Sequence, residues 1–365
     1  MGIYLTTAII SIGISILAEK YGSKNVEMEN ERQYNKYFIW ALILFLTLVA
    51  GFRFTSDIIT DESRYRFRIN VLKGVGFSQG LKTVERIEYG FYILKWVCAN
   101  FFKSSQSFIL ITSFFICFSF IKTIERYTKH NLWLAVLIFI SVGGYFDSMN
   151  LIMQYFAAAI LLYGLPFIGK KKNIYYFLIV VCAMLFHTSA IMMFPMYLVL
   201  CNKSLVKFWR LAFVVSIMLY FLFDTIAKVV IPLVPYLTLY AKSITDGSYY
   251  GVNFIRVVAM VLPSVLLFYW YTYKGKSFPP IFMNMLLVSS MASIVSLAYV
   301  YVDRVNVYFI IARPVMFCLI PGMFHNKLKQ YLTGEMALLF FMFGLYDTLY
   351  LSGYQNILFQ VINGG

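Results

Sequence analysis

Apolar residues in this chain gather into long runs separated by short polar segments. The runs fall near residues 3–18, 37–52, 108–121, 132–146, 151–168, 174–186, 188–201, 211–227, 254–273, 281–300, 305–323 and 335–351. Several are nearer 14 than 20 residues, so their ends are soft. Each run predicts a helix, because a backbone in lipid has to satisfy its polar groups within the segment. No heptad, solenoid period or low-complexity linker is present. Two polar stretches interrupt the pattern: a long one at residues 53–88 and a weaker one at 228–253. The pattern predicts an all-α, polytopic transmembrane helix bundle of about 12 spans, forming one membrane-embedded domain over residues 1–365.

The stretch Ile174–Leu200 sets the topology. Lys170, Lys171 and Lys172 precede it, and Lys203, Lys207 and Arg210 follow. Two basic flanks favour a hairpin that turns near His187 on the outer side, because Lys and Arg concentrate in cytoplasmic loops. From that anchor the loops at 122–130, 169–173, 202–210, 274–280 and 325–330 come out cytoplasmic, with three, three, three, two and two Lys/Arg. The loops at 147–150, 187–190, 228–253 and 301–304 come out external. Residues 89–102 read as a half-membrane or interfacial helix that returns to the outer side. That leaves 53–107 external, 19–36 cytoplasmic and both termini outside. The seven Lys/Arg within 53–88 then violate the positive-inside pattern: either the topology differs there or those charges serve chemistry, and the second is the reading taken.

Composition supports the membrane reading. The 365 residues are 61% hydrophobic and 13% charged, with mean hydropathy +0.75, against roughly 25% charged residues in soluble proteins. A net charge of +15 would suggest nucleic acid in a soluble chain; here the basic residues sit in short loops and set topology, so no nucleic-acid partner is expected. Cys98, Cys117, Cys182, Cys201 and Cys318 lie in or beside apolar runs without metal-ligand spacing and read as small core residues. No cleavable signal is expected, since Met1–Leu17 has no basic start and no small-residue cleavage site before Glu19.

On this topology the unusual polar residues collect on one face. Arg53 ends the second run; Asp57, Asp61, Arg64 and Tyr65 follow it, and Glu88 precedes the half-helix. Gln154 begins the 151–168 run, His187 sits at the hairpin tip, and Asp303-Arg304 opens the 305–323 run. Each has a plain alternative. Arg53 and Arg304 lie near helix ends and could reach the interface as anchors, Asp61 and Glu88 could pair with loop arginines, Gln154 could pack helices, and His187 could be a satisfied turn residue. Arg313, followed by Pro314, lies about six residues deeper than an interfacial anchor readily explains. Together these residues suit an anionic substrate at the outer face. Arg forks hold phosphate, and a carboxylate or His can deprotonate a hydroxyl. The chain has no HExxH, acidic metal pair, Walker loop or GxGxxG, so neither a metal, a nucleotide nor any other cofactor is indicated.

The same positions carry a family resemblance. Gly51-Phe52-Arg53, Asp57 and Asp61 with Tyr65, Glu88-Tyr89-Gly90-Phe91, Gln154 with Ala157, Phe186-His187-Thr188-Ser189-Ala190, and Asp303-Arg304 with Tyr308-Phe309 occur in order over residues 37–310. This resembles the EpsG family of Wzy-type exopolysaccharide polymerases. Two positions depart from the family pattern: Ser56 stands where a glycine is usual, and Met153 where an arginine is usual before Gln154, so one anion-binding arginine of the family is either missing here or replaced by Arg313 or Arg256.

The resemblance implies a fold similar to GT-C-type membrane glycosyltransferases. It implies a polymerase of capsule-, O-antigen- or exopolysaccharide-like surface polymer in the bacterial cytoplasmic membrane, with its active site on the outer, periplasmic face. Its substrates would be undecaprenyl-pyrophosphate-linked oligosaccharides among membrane lipid, and chain-length regulator and flippase proteins would be its partners. The growing glycan would pass to the non-reducing end of the next lipid-linked unit by inverting, metal-independent transfer. His187 would be the first candidate base, with Asp61 and Glu88 behind it. Arg53, Arg304 and Arg313 would hold the pyrophosphate, with Asp57, Arg64, Tyr65, Gln154 and Asp303 completing the binding site. A flippase for the same lipid-linked oligosaccharide is the alternative. It would spread polar residues through the midplane and carry internal repeats.

Overall fold

A computed structural model describes residues 2–24, 32–54, 61–82, 88–142, 144–170, 172–233, 251–275, 278–324, 326–350 and 355–356. In chain order the helices are α1 (Gly2–Lys20), α2 (Lys36–Gly51), α3 (Asp61–Val71), α4 (Phe77–Leu81), α5 (Tyr89–Asn100), α6 (Ser105–Tyr127), α7 (Leu132–Ser141), α8 (Asp147–Asn150), α9 (Ile152–Leu162), α10 (Leu165–Gly169), α11 (Asn173–Met184) and α12 (Met193–Cys201). They continue with α13 (Trp209–Phe221), α14 (Phe223–Leu233), α15 (Phe254–Tyr273), α16 (Pro280–Val295), α17 (Ala312–Phe317) and α18 (Asn326–Tyr350). Short 3-10 turns cover Thr188–Met192, Leu205–Phe208, Val300–Tyr308 and Ile320–Met323. The described strands are two antiparallel ladders of two residues each. β1 (Ser23–Lys24) pairs with β2 (Arg32–Gln33), and β3 (Arg53–Phe54) pairs with β4 (Gln355–Asn356). The fold is all-helical in substance.

Helix starts follow local chemistry. The side chains of Asn35, Ser104 and Asn253 accept hydrogen bonds from the backbone N–H two residues on, capping α2, α6 and α15. Pro280 opens α16, where its missing N–H costs nothing.

The chain divides into two compact units, Met1–Tyr197 with Arg313–Gly365, and Leu198–Ala312. In the first, α2 packs on α1 and α6, α7 on α1 and α18, and α9 on α6 and α11. Ser11, Ser15 and Ala8 on the buried face of α1 let backbones approach, as small residues do in membrane bundles. In the second, α16 packs against α13, α15 and the 300–308 turn, with Asn284, Ser289, Ser290 and Ser293 inward.

Among the described residues three helices (α1, α6 and α15) are long and apolar enough to cross a membrane, or up to five if two bent pairs count as one span each. Shorter apolar helices occupy 36–51, 132–141, 152–168, 173–184 and 280–295. This is a membrane protein of apolar helices. Several runs that read as continuous are broken: 151–168 at Gly164 ahead of Pro166, and 305–323 around Pro314 and Pro321. Helix α5 has 12 residues and so is about 18 Å long, short of the roughly 30 Å hydrocarbon core. Cys98, Cys117 and Cys318 are buried as expected. Cys182 and Cys201 are exposed, on outward helix faces and not in the core.

Candidate functional site

The hairpin tip and the start of α5 build the first cluster. Helix α11 ends at Met184, and Leu185, Phe186 and His187 turn the chain into the 188–192 turn and α12. Tyr176 holds the two limbs together by donating to the Met193 carbonyl at 3.0 Å. The Leu185 carbonyl accepts from the backbone N–H of Gly90 at 2.9 Å and of Phe91 at 3.4 Å. It thus satisfies N–H groups that the first turn of a helix leaves without partners. Gly90 makes this approach possible: a Cβ there would lie 3.0 Å from the Phe186 ring and 3.2 Å from the Leu185 oxygen.

This docking brings His187 Nδ1 to 3.1 Å from Glu88 Oε1, and Thr188 Oγ1 donates to the same oxygen at 3.2 Å. Burial pushes the Glu88 carboxyl up, but the hydrogen bond and charge of His187, together with Thr188, outweigh it and hold the carboxyl below its usual range. An ionised carboxylate only accepts, so Nδ1 carries the proton in this contact; in the neutral imidazole Nε2 then holds the lone pair. The two side chains keep 15% (Glu88) and 19% (His187) exposure.

The second cluster is closed. Arg53 and Glu62 are 1% and 2% exposed and meet at 2.7 Å, Nε to Oε2. The Arg53 guanidinium also donates to the carbonyls of Ala50 and of Met149, the latter at 2.7 Å, and to Ser113 Oγ at 3.4 Å. It therefore ties together the ends of α2 and α8. Glu62 Oε1 accepts from Arg66 at 2.7–2.8 Å, and Arg66 is 28% exposed. Arg313 is likewise buried and donates to the Val142 carbonyl at the end of α7, at 3.1 Å.

An aromatic chain joins the clusters: Tyr65 lies 5.9 Å from Phe91, Phe91 6.3 Å from Phe156, and Phe156 4.9 Å from Phe186. Tyr65 and Gln154 are buried, whereas Arg64 is on the exposed face of α3. Asp61 begins α3, and Asp57 lies outside the described residues.

In the second unit, Asp303 Oδ1 accepts from Asn306 at 2.6 Å, and Asn306 also donates to Ser293 Oγ at 3.0 Å. The Arg304 guanidinium lies over the Tyr301 ring at 4.5 Å. No group of three or more His, Cys, Asp or Glu side chains among the described residues is placed to hold a metal ion.

Within the first unit the segments around Glu88 and His187 therefore meet, and Asp303 and Arg304 belong to the second unit. The model of the EpsG family matches residues 36–361. The chain belongs to the EpsG family. This is a Wzy-type polymerase family, which places the chain among surface-polysaccharide polymerases. No curated protein and no solved structure matches the chain.

Within this EpsG chain the structure adds residues that the sequence reading passed over. Glu62 and Arg66 were legible as an i, i+4 pair. Lys95, the lone charge inside the α5 run, lies 5.4 Å from the centre of the Phe91 ring. Gly90 has its role in the close approach of the hairpin tip.

Proposed function

We propose that this EpsG protein transfers a growing glycan from undecaprenyl pyrophosphate to a lipid-linked repeat unit at the outer face of the cytoplasmic membrane. The five shorter apolar helices would then lie in the bilayer as well, beside the three to five longer spans. The observation that carries the reading is the Glu88–His187–Thr188 cluster, a partly exposed, oriented imidazole in a membrane protein otherwise poor in polar groups.

Glu88 orients His187 and stabilises the imidazolium that forms when Nε2 takes a proton, the same logic by which a carboxylate serves a catalytic histidine elsewhere. The acceptor hydroxyl gives its proton to Nε2, and its oxygen attacks the anomeric carbon. The bond from that carbon to the pyrophosphate oxygen breaks, and undecaprenyl pyrophosphate leaves with the electron pair. The α3 arginines Arg64, exposed, and Arg66, half-buried against Glu62, would neutralise the leaving group, which needs countercharge more than a proton. Arg53 acts as a positioning residue: it fixes Glu62, and Glu62 fixes Arg66. Energy stored in the lipid pyrophosphate drives the bond.

A single displacement inverts configuration. Purified protein given defined lipid-linked repeat units should form a new linkage of inverted anomeric configuration, read by NMR. Retained configuration would overturn the one-step mechanism, and absence of elongation would overturn the polymerase reading.

A further inference from the structure

Residues 63–84 carry Arg64, Arg66, Arg68, Lys73 and Lys82 and no acidic residue. They include most of α3, all of α4 and the elbow between them. On α3, Glu62, Tyr65 and Ile69 form the buried stripe. Arg64, Phe67, Arg68 and Val71, spaced three and four residues apart, form the opposite one, with Phe67 69% and Val71 58% exposed. Cations and apolar side chains thus share one outward face. The elbow is held by α5. Asn100 donates to the Leu72 carbonyl at 3.1 Å and accepts from the Gly74 N–H at 3.0 Å. Trp96 donates to the Val75 carbonyl at 2.9 Å, and Tyr92 to the Phe77 carbonyl at 2.6 Å. Lys73 is exposed on this elbow. The Phe77 ring lies 5.3 Å from that of Trp96, and Trp96 lies 5.9 Å from Phe101, yet Phe77, Phe101 and Phe102 stay open to the outside.

Such a surface suits neither water nor hydrocarbon. Phenylalanines held open to water forgo their burial energy, and cations in the hydrocarbon core are expensive. The headgroup layer of a bilayer satisfies both. Aromatic rings concentrate at that level, and an amphipathic helix lies there with its apolar side chains at the acyl boundary and its basic ones among the headgroups. Helix α5 beside the elbow is about 18 Å long, too short to span, and turns Tyr89 and Ile93 outward in the same manner. A run of cations without a carboxylate selects an anionic lipid surface over a zwitterionic one.

We propose that α3, the elbow and α4 form an interfacial anchor that lies in the headgroup layer and gathers anionic phospholipid through Arg68 and Lys73. The occupant is the phosphodiester headgroup of a bilayer phospholipid. The inference is independent of the polymerase reading, and it gives Arg68 and Lys73 a role apart from that of Arg64 and Arg66.

The test uses the full chain in phosphatidylcholine nanodiscs, with bimane on Val71→Cys in a Cys182→Ser/Cys201→Ser background, since those two cysteines are exposed. Phosphatidylglycerol or phosphatidylcholine carrying a nitroxide near the top of the acyl chain is added in rising amount, and quenching of the bimane is read. A basic residue near an anionic surface shifts local occupancy about fivefold, so phosphatidylglycerol should quench half the signal at a mole fraction at least about fivefold lower than phosphatidylcholine needs. High salt should narrow that difference. Arg68→Gln with Lys73→Gln should bring the two lipids within about twofold, whereas Arg68→Lys with Lys73→Arg should keep the preference. Both residues are exposed, so the variants should fold; if the Gln pair does not, the salt dependence of the chain with Arg68 and Lys73 intact decides. No quenching by either lipid would set α3 clear of the bilayer and overturn the proposal. Equal quenching by both would remove the selection for anionic lipid and overturn it as well. Release of phosphatidylglycerol by a much smaller amount of farnesyl pyrophosphate would assign the cations to a prenyl pyrophosphate, which also overturns it.

Discussion

Gly90→Ala adds a single methyl at the point where the hairpin tip meets α5, and its consequences can be worked from the geometry. The new Cβ would stand 3.0 Å from the Phe186 ring, whereas carbon atoms rest at about 3.5–4.0 Å. Either the ring or the tip has to retreat by about 0.5–1 Å. Overpacking of this kind costs about 1–3 kcal/mol, and the gain from placing alanine in a helix returns at most about 1 kcal/mol. The protein should therefore fold, with only a small loss in thermal stability. The pair of Glu88 and His187 is at 3.1 Å, and a retreat of that size lengthens it beyond hydrogen-bond reach. A misplacement of about 1 Å at a reacting group lowers rate on the order of 10²-fold. Polymer formation by purified Gly90→Ala should fall by about that factor, measured beside its unfolding temperature in the same detergent. Phe186→Leu in the same chain removes the ring that the methyl strikes and should recover at least about tenfold. Activity of Gly90→Ala within threefold of wild type, or a double variant no better than the single one, would refute the close-approach argument.

Other substitutions and conditions separate structural from chemical roles. Glu62→Gln leaves Arg53 charged and buried without its anion, and should cost about 3–5 kcal/mol of stability. Asp61→Asn should cost much less, and equal losses in thermal unfolding would remove Glu62 as the Arg53 partner. Acid stability should depend on Glu88: its folded pKa lies below the usual 4.5, so its contribution is present above that value and is lost as pH falls through the folded pKa. Glu88→Gln should flatten that acid limb. Lys95 works in the opposite range. Between its folded pKa of about 8 and its ordinary 10.5 the unfolded chain holds more protons, so stability rises with pH there and Lys95→Met should remove the rise; a slope unchanged by the substitution would contradict it. A cysteine at Thr188 should react with an impermeant reagent added outside intact cells, and one at Lys170 only from the cytoplasm; the reverse pattern would invert the topology.

Much of the fold was legible because lipid imposes a simple grammar. Apolar runs became helices, and the turn at His187 was readable from basic residues on both flanks of one long run. The breaks at Gly164 and around Pro314 and Pro321 were harder, because an apolar run does not say whether its helix continues through a proline. Helix α3 was hidden by its charges, and its inward stripe of Glu62, Tyr65 and Ile69 shows only once the helical period is imposed. The same period explains why attention to Asp61 missed Glu62: one residue along a helix is a rotation of about 100°. Arg53 stood out in the sequence, but nothing there said that its fork would be filled by Glu62 and the carbonyls of Ala50 and Met149. Glu88 and His187 were visible separately. Their meeting depends on Gly90 and the Leu185 carbonyl, a contact between segments 95 residues apart in sequence that a single chain without its structure does not reveal.

The central claim is that His187, oriented by Glu88, takes the proton from the acceptor hydroxyl. Its most direct test is the turnover of purified His187→Ala on lipid-linked repeat units under saturating substrate, beside wild type of equal thermal stability. Loss of a general base predicts a kcat lower by about 10²–10⁴-fold, with lipid-linked substrate still bound. Near-normal turnover by His187→Ala would contradict the account.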